Sequence, residues 1–329
     1  MATLSAPTPV SPSAAAPDPA GAPHAPDAAP ARARRFPWAP LAMLTPALIM
    51  IAVFIGWPLV QLVIMSFQKF GREQIFGAPP EFIGLGNYVD VLTAPEFWTV
   101  LARSIALCVV SVVATMVFGV LIAVLMAKLG AVMRTAVSVA LLLAWAMPAL
   151  TATIVWGWIF DTEYGLVNWV LTQVTGDSWT GHSWLSNPVS FYAVAAIIIT
   201  WGAIPFVAFS AYAGLTQVPG EVLEAASLDG AGGFARFRLI VMPYIRSILL
   251  VLLVLQVIWD LRVFAQIYAL QSIGGVRADT NTIGVYIYSV SMASGDLGGG
   301  GAISVILVAI LLLISGYWIR TMLRQEKES

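Results

Sequence analysis

Charged residues are scarce in this sequence, and their scarcity decides its class. They make up 10 % of the 329 residues, whereas soluble globular domains contain roughly 25 %. Hydrophobic residues make up 59 %, and the mean hydropathy is +0.87. This composition excludes an ordinary cytosolic enzyme and a disordered protein, and it predicts a polytopic membrane protein.

Cysteine and histidine are also nearly absent. Cys108 is the single cysteine, and His24 and His182 are the two histidines. A disulfide framework within the chain and a cysteine-cluster metal site are therefore excluded, and histidine-based metal chemistry is not expected. Sixteen Lys and Arg against seventeen Asp and Glu leave a net charge of −1. Without a basic block, nucleic acid is not an expected partner.

Motifs for ATP binding and for common catalysis are missing as well. Lys69, Lys128 and Lys327 are never followed by Ser or Thr, so the chain has no P-loop. Neither a His-Glu-x-x-His helix nor a Gly-x-Ser-x-Gly elbow occurs. We therefore predict no catalytic residue, no cofactor and no metal, and uphill transport would need an ion gradient or an energy-supplying partner.

What the sequence does contain is a series of long apolar stretches. About 20 apolar residues cross a bilayer as a helix, and six stretches approach or exceed this length. They predict an all-α fold with six transmembrane helices. The predicted spans are Leu41–Phe67, Ser104–Ala127, Thr135–Phe160, Pro188–Leu215, a stretch from Ser247 to about Leu270, and Leu297–Ile319.

The first 35 residues have a different composition. Pro and Ala fill 20 of these 35 positions, without helical or strand periodicity, which predicts a disordered tail. A secretory signal is the less favoured alternative, because the next apolar stretch is longer than a signal core of about 7–15 residues. We therefore divide the chain into a tail, 1–35, and a transmembrane domain, 36–329.

The distribution of Lys and Arg predicts the orientation. With the N-terminus inside, eleven of these residues lie in inner segments and three in outer loops. Because cytoplasmic segments are enriched in Lys and Arg, both termini are expected in the cytoplasm. The loops 69–99, 161–187 and 271–300 are then outside, and segment 216–246 is inside.

Segment 216–246 is the most informative part of the chain. A turn at Pro219 precedes a predicted short helix, Glu221–Leu228, and a second helical piece is predicted from about Gly233 to Met242. Such a segment either forms a rigid cytoplasmic protrusion or lies on the membrane as an amphipathic connector.

Its residue spacing resembles a known motif. Glu224-Ala225-Ala226 is followed by Asp229 and Gly230, and nine residues then separate Gly230 from Ile240-Val241-Met242-Pro243. This pattern is similar to the Glu-Ala-Ala loop of the inner-membrane permeases of binding-protein-dependent ABC importers, with Met242 in place of a leucine. Further short similarities point to the sugar-permease branch, of maltose and glycerol-phosphate type. They are Trp57-Pro58-Leu59, Phe82–Tyr88, Trp158–Phe160 and Gly298–Gly301.

The resemblance implies a bacterial inner-membrane permease that imports a carbohydrate, expected to be a di- or oligosaccharide. Its implied partners are nucleotide-binding ATPase subunits, a second permease expected to be a different chain, an extracytoplasmic solute-binding protein and the surrounding membrane lipid. The short helix would be a coupling helix in a groove of the ATPase. The residues implied in coupling are Glu224, Ala225, Ala226, Asp229, Gly230 and Pro243.

Asp260 and Arg262 are charges inside the predicted fifth span. Intramembrane charges are costly and suggest a functional site, so Asp260, Arg262, Trp259 and Tyr268 are candidate residues of a substrate path. The alternative is that the two charges fix helix packing, or that the helix ends early. Most of the twelve tryptophans are interpreted as interfacial residues, and for Trp145 core packing is favoured over ligand contact.

Three other functions remain open on the residues alone. A secondary transporter of a small polar solute is disfavoured by the low number of spans and the lack of an inverted repeat. A membrane-embedded enzyme is disfavoured by the lack of a catalytic cluster. A permease for a polyol, glycerol phosphate or an amino acid is the third alternative.

Overall fold

A computed structural model describes residues 38–328. The predicted tail, 1–35, lies outside the described residues. The chain divides into two compact units, of which the first ends at Ala52 and the second begins at Val53. In the first unit, the described residues form mainly one helix. The second unit contains the candidate site residues.

The described residues are almost entirely helical. The helices are α1 (Trp38–Ile51), α2 (Trp57–Ser66), α3 (Arg72–Ile75), α4 (Gly86–Thr93), α5 (Pro95–Lys128), α6 (Ala131–Ala146), α7 (Ala149–Ile159), α8 (Leu166–Thr175), α9 (Pro188–Leu215), α10 (Gly220–Leu228), α11 (Gly233–Arg236), α12 (Met242–Leu261), α13 (Ala265–Ile273), α14 (Arg277–Thr280), α15 (Ile283–Tyr288) and α16 (Leu297–Glu328).

Short elements complete the fold. Strands β1 (Gln68–Lys69) and β2 (Glu81–Phe82) pair antiparallel, with Gln68 opposite Phe82. Three π-helical turns interrupt or extend α-helices, at Ala52–Gly56, Phe237–Val241 and Ser289–Ala293.

The predicted all-α membrane fold is confirmed. Within residues 38–328, five helical stretches are long and apolar enough to cross a membrane, and one bent helix pair accounts for the sixth. The five are Ala42–Ser66, Pro95–Lys128, Pro188–Leu215, Gly233–Leu261 and Leu297–Thr321.

The third span is not the single helix predicted for Thr135–Phe160. It consists of α6 and α7, which meet at an angle of 102°. Met147 has an extended backbone, with φ −73° and ψ 124°. A residue before proline is disfavoured in the helical region, so Pro148 explains why the helix stops here.

The fifth span also differs from its prediction. It begins at Gly233 and ends at Leu261, instead of running from Ser247 to about Leu270. The π-turn runs directly into α12, in which Pro243 is the second residue, so the predicted second helical piece is the start of the span and not a separate element. Tyr268 lies on α13, after a break.

Helices α5 and α9 pack closely in the core of the second unit. A Cβ atom at Gly119 would lie 2.5 Å from Val207 Cγ1, so only glycine allows this approach. Ala123, one turn further along α5, is fully buried as well.

Candidate functional site

A cavity of about 570 Å³ lies beside Asp260, and we call it the Asp260 cavity. Three elements of the described chain contribute most of its wall, namely α9, the end of α12 and the segment that follows α12. Its lining residues are Trp145, Ile199, Gly202, Ala203, Phe206, Gln256, Trp259, Asp260, Arg262, Val263, Phe264, Ala265 and Gln266.

Irregular or proline-containing helix segments meet at this cavity. Trp145 precedes the α6–α7 break, residues 262–264 form the α12–α13 break, and Phe206 follows Pro205 inside α9. Non-helical backbone at membrane depth is tolerated where it is buried in protein or lines a cavity. The breaks therefore suit a polar pathway through the helices.

Asp260 is the buried acidic group of this cavity. The exposed fraction of Asp260 is 5 %, and its Oδ1 accepts a hydrogen bond of 3.0 Å from Gln256 Nε2. Asp260 Oδ2 and Gln256 Oε1 have no hydrogen-bond partner among the described residues. Because unpaired buried acceptors are costly, these two oxygens are suited to accept hydrogen bonds from a bound solute or water.

Arg262 lines the same cavity but does not pair with Asp260. The ion pair found in the described part of the chain joins Arg103 and Asp279 at 3.9 Å. Arg262 is exposed and follows the last residue of α12. The Arg262 guanidinium is therefore free to donate to a ligand.

Aromatic rings extend from the cavity in two directions. The Trp259 ring lies 5.1 Å from that of Phe206, centroid to centroid. The Phe264 ring stacks on Tyr268 at 5.3 Å. Tyr268 does not line the cavity, and its ring instead contacts Tyr288 and the Arg277 guanidinium.

Several lining residues were missed by the sequence analysis. Trp145 was assigned to core packing but lines the cavity and is exposed. Phe206, Gln256 and Phe264 were not singled out. Two signals were available, since Gln256 lies one helical turn before Asp260 and Pro205 interrupts the backbone bonding of α9.

The short helix predicted in segment 216–246 is present as α10. It covers Gly220–Leu228, one residue longer than predicted, and Asp229 is its C-cap. Gly230 has a φ of +78°, and the next amide, of Ala231, donates to the Ala226 carbonyl at 2.9 Å. A left-handed glycine after the last turn is a common helix stop.

The outward side chains of α10 are not covered by the described residues. Glu224, Ala225 and Asp229 are exposed, and the exposed fraction of Leu228 is 90 %. Ala226 is half-buried, and Pro243 lies apart from these residues, exposed near the start of α12. The arrangement favours a protrusion that offers a surface to a partner.

Loop 161–187 is a well-bonded structure around Asn168. The Asn168 amide donates to the carbonyls of Thr162 and His182 and accepts from Trp184 Nε1 at 2.7 Å. Trp184 stacks on Trp179 with ring centroids 6.1 Å apart, so these two tryptophans help to hold the loop together. Backbone N–H groups of Tyr164 and Glu163 lower the pKa of the Asp161 carboxyl below its usual value.

Comparison with known proteins gives relatives of one kind, which are permease proteins of transport systems. The chain is 40 % identical over 290 residues to the diacetylchitobiose uptake system permease protein DasB of Streptomyces coelicolor, covering 88 % of each chain. It is 33 % identical over 273 residues to the trehalose/maltose transport system permease protein MalF of Thermococcus litoralis, covering 82 % of this chain and 88 % of the relative.

A solved structure supports the fold. One chain of a bacterial ABC transporter that imports the acidic polysaccharide alginate matches with a TM-score of 0.75 and 20 % identity. The match covers 88 % of this chain and 96 % of that chain. At this identity it speaks for the fold alone.

The family follows from these matches. Residues 116–328 match the model of the binding-protein-dependent transport system inner membrane component. The predicted family, the ABC importer permeases of the sugar branch, is confirmed. The chain is therefore a transport component of such an importer, in place of the alternatives of an enzyme and a secondary transporter. The chain thus belongs to the inner-membrane components of binding-protein-dependent transport systems.

Proposed function

We propose that this permease carries a neutral di- or oligosaccharide and that the sugar passes through the Asp260 cavity. The observation that carries this proposal is a buried carboxylate with one unpartnered oxygen, placed where two helix breaks and Pro205 meet. A carbohydrate hydroxyl would donate to that oxygen.

The chemistry of the wall supports a neutral sugar. Asp260 Oδ2 and Gln256 Oε1 supply acceptors, and Arg262 supplies donors. Trp259 and Phe264 supply flat apolar faces of the kind that pack against sugar C–H groups. One carboxylate and one guanidinium balance each other, so the wall favours neither a strongly acidic nor a strongly basic solute.

The names of two relatives agree with this size class. One is named for diacetylchitobiose and the other for trehalose and maltose, all of which are disaccharides. The shared family and the composition of the cavity together support a disaccharide over an amino acid or a glycerol phosphate.

We also propose the partners and the orientation. The exposed face of α10, including Glu224, would dock on nucleotide-binding ATPase subunits, and a second permease, expected to be a different chain, would complete the pathway. An extracytoplasmic solute-binding protein would deliver the sugar to the outer loops. Eleven inner against three outer Lys and Arg support cytoplasmic termini.

The test is uptake into proteoliposomes that hold the complex purified through a tag on this chain, together with its binding protein. Radiolabelled diacetylchitobiose, maltose and trehalose are compared with glycerol 3-phosphate and glutamate. We expect ATP-dependent uptake of at least one disaccharide and no uptake of either anion. Uptake of an anion in preference to every sugar would overturn the substrate class, and uptake abolished by an uncoupler at constant ATP would restore the secondary transporter.

A further inference from the structure

A second cavity, of about 320 Å³, lies next to the coupling helix and has a different chemistry. We call it the basic cleft. Most of its wall is aliphatic or aromatic, and its charged members are two cations. The lining residues are Val124, Ala127, Lys128, Leu215, Val218, Leu223, Gly233, Arg236, Phe237 and Val241.

The cleft lies at one end of the membrane-spanning helices. Lys128 and Leu215 are the last residues of α5 and α9, Leu223 belongs to α10, and Gly233 begins the fifth span. Apolar helix surface and the connecting segment 216–232 thus meet at the cleft. Membrane-spanning helices end where lipid chains give way to headgroups, so a cleft at these helix ends is placed to meet both.

Neither cation of the cleft is neutralised by the described residues. Lys128 is exposed and Arg236 is half-buried, and neither forms an ion pair or a side-chain hydrogen bond. Arg134, in the first turn of α6, is different because it donates to Tyr212 Oη at 2.8 Å and to the Leu129 carbonyl. Lys128 and Arg236 are therefore available to an anion from outside the chain.

We propose that the basic cleft binds an anionic phospholipid of the inner leaflet. The phosphate would lie between Lys128 and Arg236, and an acyl chain would contact Val124, Ala127 and Leu215. Charge complementarity selects an anionic headgroup, and basic pockets between transmembrane helices on the cytoplasmic side are suited to such headgroups. The aliphatic wall favours a lipid over a free anion, because a small soluble anion would leave that wall unused.

This site rests on the orientation proposed above, and it has a mechanical consequence. The lipid would contact α5 and α9 on one side and Leu223 of α10 on the other. Bound lipid would therefore hold the coupling helix against the membrane-spanning helices.

Native mass spectrometry of the complex, purified through a tag on the full-length chain, tests the proposal. The complex is incubated with phosphatidylglycerol or with phosphatidylcholine of identical acyl chains. We expect retention of phosphatidylglycerol and not of phosphatidylcholine. Each cation near an anionic lipid surface strengthens lipid binding by about the same factor. The double variant Lys128→Gln with Arg236→Gln loses two such contributions and is expected to weaken retention by roughly thirtyfold.

Matched variants separate the cleft from general surface charge. Arg238→Gln with Arg246→Gln removes the same charge from exposed neighbours outside the cleft, and retention is expected to be unchanged. Ala127→Trp keeps the charge but fills the apolar wall, and it is expected to reduce retention. An equal loss in the Arg238 and Arg246 variant, or equal retention of phosphatidylcholine by the unmodified chain, would overturn the site.

Two further outcomes identify a different occupant. Displacement of phosphatidylglycerol by millimolar inorganic phosphate would assign the cations to a free anion. A photocrosslinker at position 127 that reacts with the ATPase subunit, and not with lipid, would assign the cleft to that protein. Either result overturns the lipid site, whereas loss of sugar uptake with intact lipid retention would count only against the proposed substrate.

Discussion

The Asp260 cavity and helix α10 are built in opposite ways. The cavity combines residues from α6, α9, α12 and the α12–α13 break, and its key carboxylate is 5 % exposed. Helix α10 is one short continuous segment whose outward residues are exposed. Selecting a solute needs converging groups shielded from water, whereas docking a partner needs a surface that the chain leaves uncovered.

This difference separates two roles that substitution can test. Variants of α10 are expected to alter contact with the ATPase without changing which solute is selected. Variants of the cavity are expected to alter solute transport while the ATPase stays bound.

The largest effect is expected from Glu224→Lys. Reversing an exposed charge on α10 replaces attraction by repulsion at the docking surface, and we expect ATPase retention in a pull-down to fall by about tenfold or more. Asp177→Lys, an exposed reversal in loop 161–187, serves as the control and is expected to retain the ATPase. Normal retention and transport by the Glu224 variant would remove α10 from the coupling interface.

Asp260→Leu is expected to have the second largest effect, which is a loss of sugar uptake while the ATPase stays bound. Losing hydrogen bonds to a charged group costs about 1.5–3 kcal/mol, which corresponds to roughly a tenfold or greater loss of uptake at low sugar concentration. Asp260→Asn keeps one acceptor oxygen, so a smaller impairment is expected. Unchanged affinity and rate in both variants would assign Asp260 to helix packing.

Pro148→Ala tests whether the α6–α7 break shapes the cavity. Alanine frees Met147 to adopt a helical backbone, so the 102° bend would relax and Trp145 would shift. We expect a severalfold loss of uptake with unchanged ATPase retention. Pro95→Ala, at the first position of α5, is the control, because proline at the start of a helix blocks no internal bond.

The smallest effect is expected at the end of α10. Gly230→Ala forces a side chain into the left-handed region at φ +78°, at a cost of about 1–2 kcal/mol. A severalfold weaker ATPase interaction is expected in a titration. Gly232→Ala is the matched control, since its φ is −64° and the space around it is open. Equal behaviour of the two variants would mean that this turn does not position α10.

The same contrast explains how much the sequence could reveal. The bounds of α9 were predicted to the residue, and those of α10 to one residue, because proline, glycine and hydropathy act locally. Of the residues that line the cavity, the sequence predicted Asp260, Arg262 and Trp259, which are near one another in the chain. Trp145 reaches it through the packing of α6, for which a single sequence carries no local signal.

The fifth span shows a local signal that misled. Pro243 suggested a boundary, but the π-turn at Phe237–Val241 runs directly into α12, in which Pro243 is the second residue. Tyr268 was placed on the same span, and the break at residues 262–264 puts it in a neighbouring aromatic cluster instead.

The π-turn at Phe237–Val241 also carries one residue more than an α-helical turn would hold. Deleting one residue here is therefore expected to convert the π-turn into an α-helical turn, with the rest of the fifth span keeping its rotation. In the regular helix of α12 each residue accounts for about 100° of rotation, so the same deletion between Met242 and Asp260 would turn Asp260 away from its cavity. The π-turn is thus the place in this span where a change of length leaves the orientation of Asp260 intact.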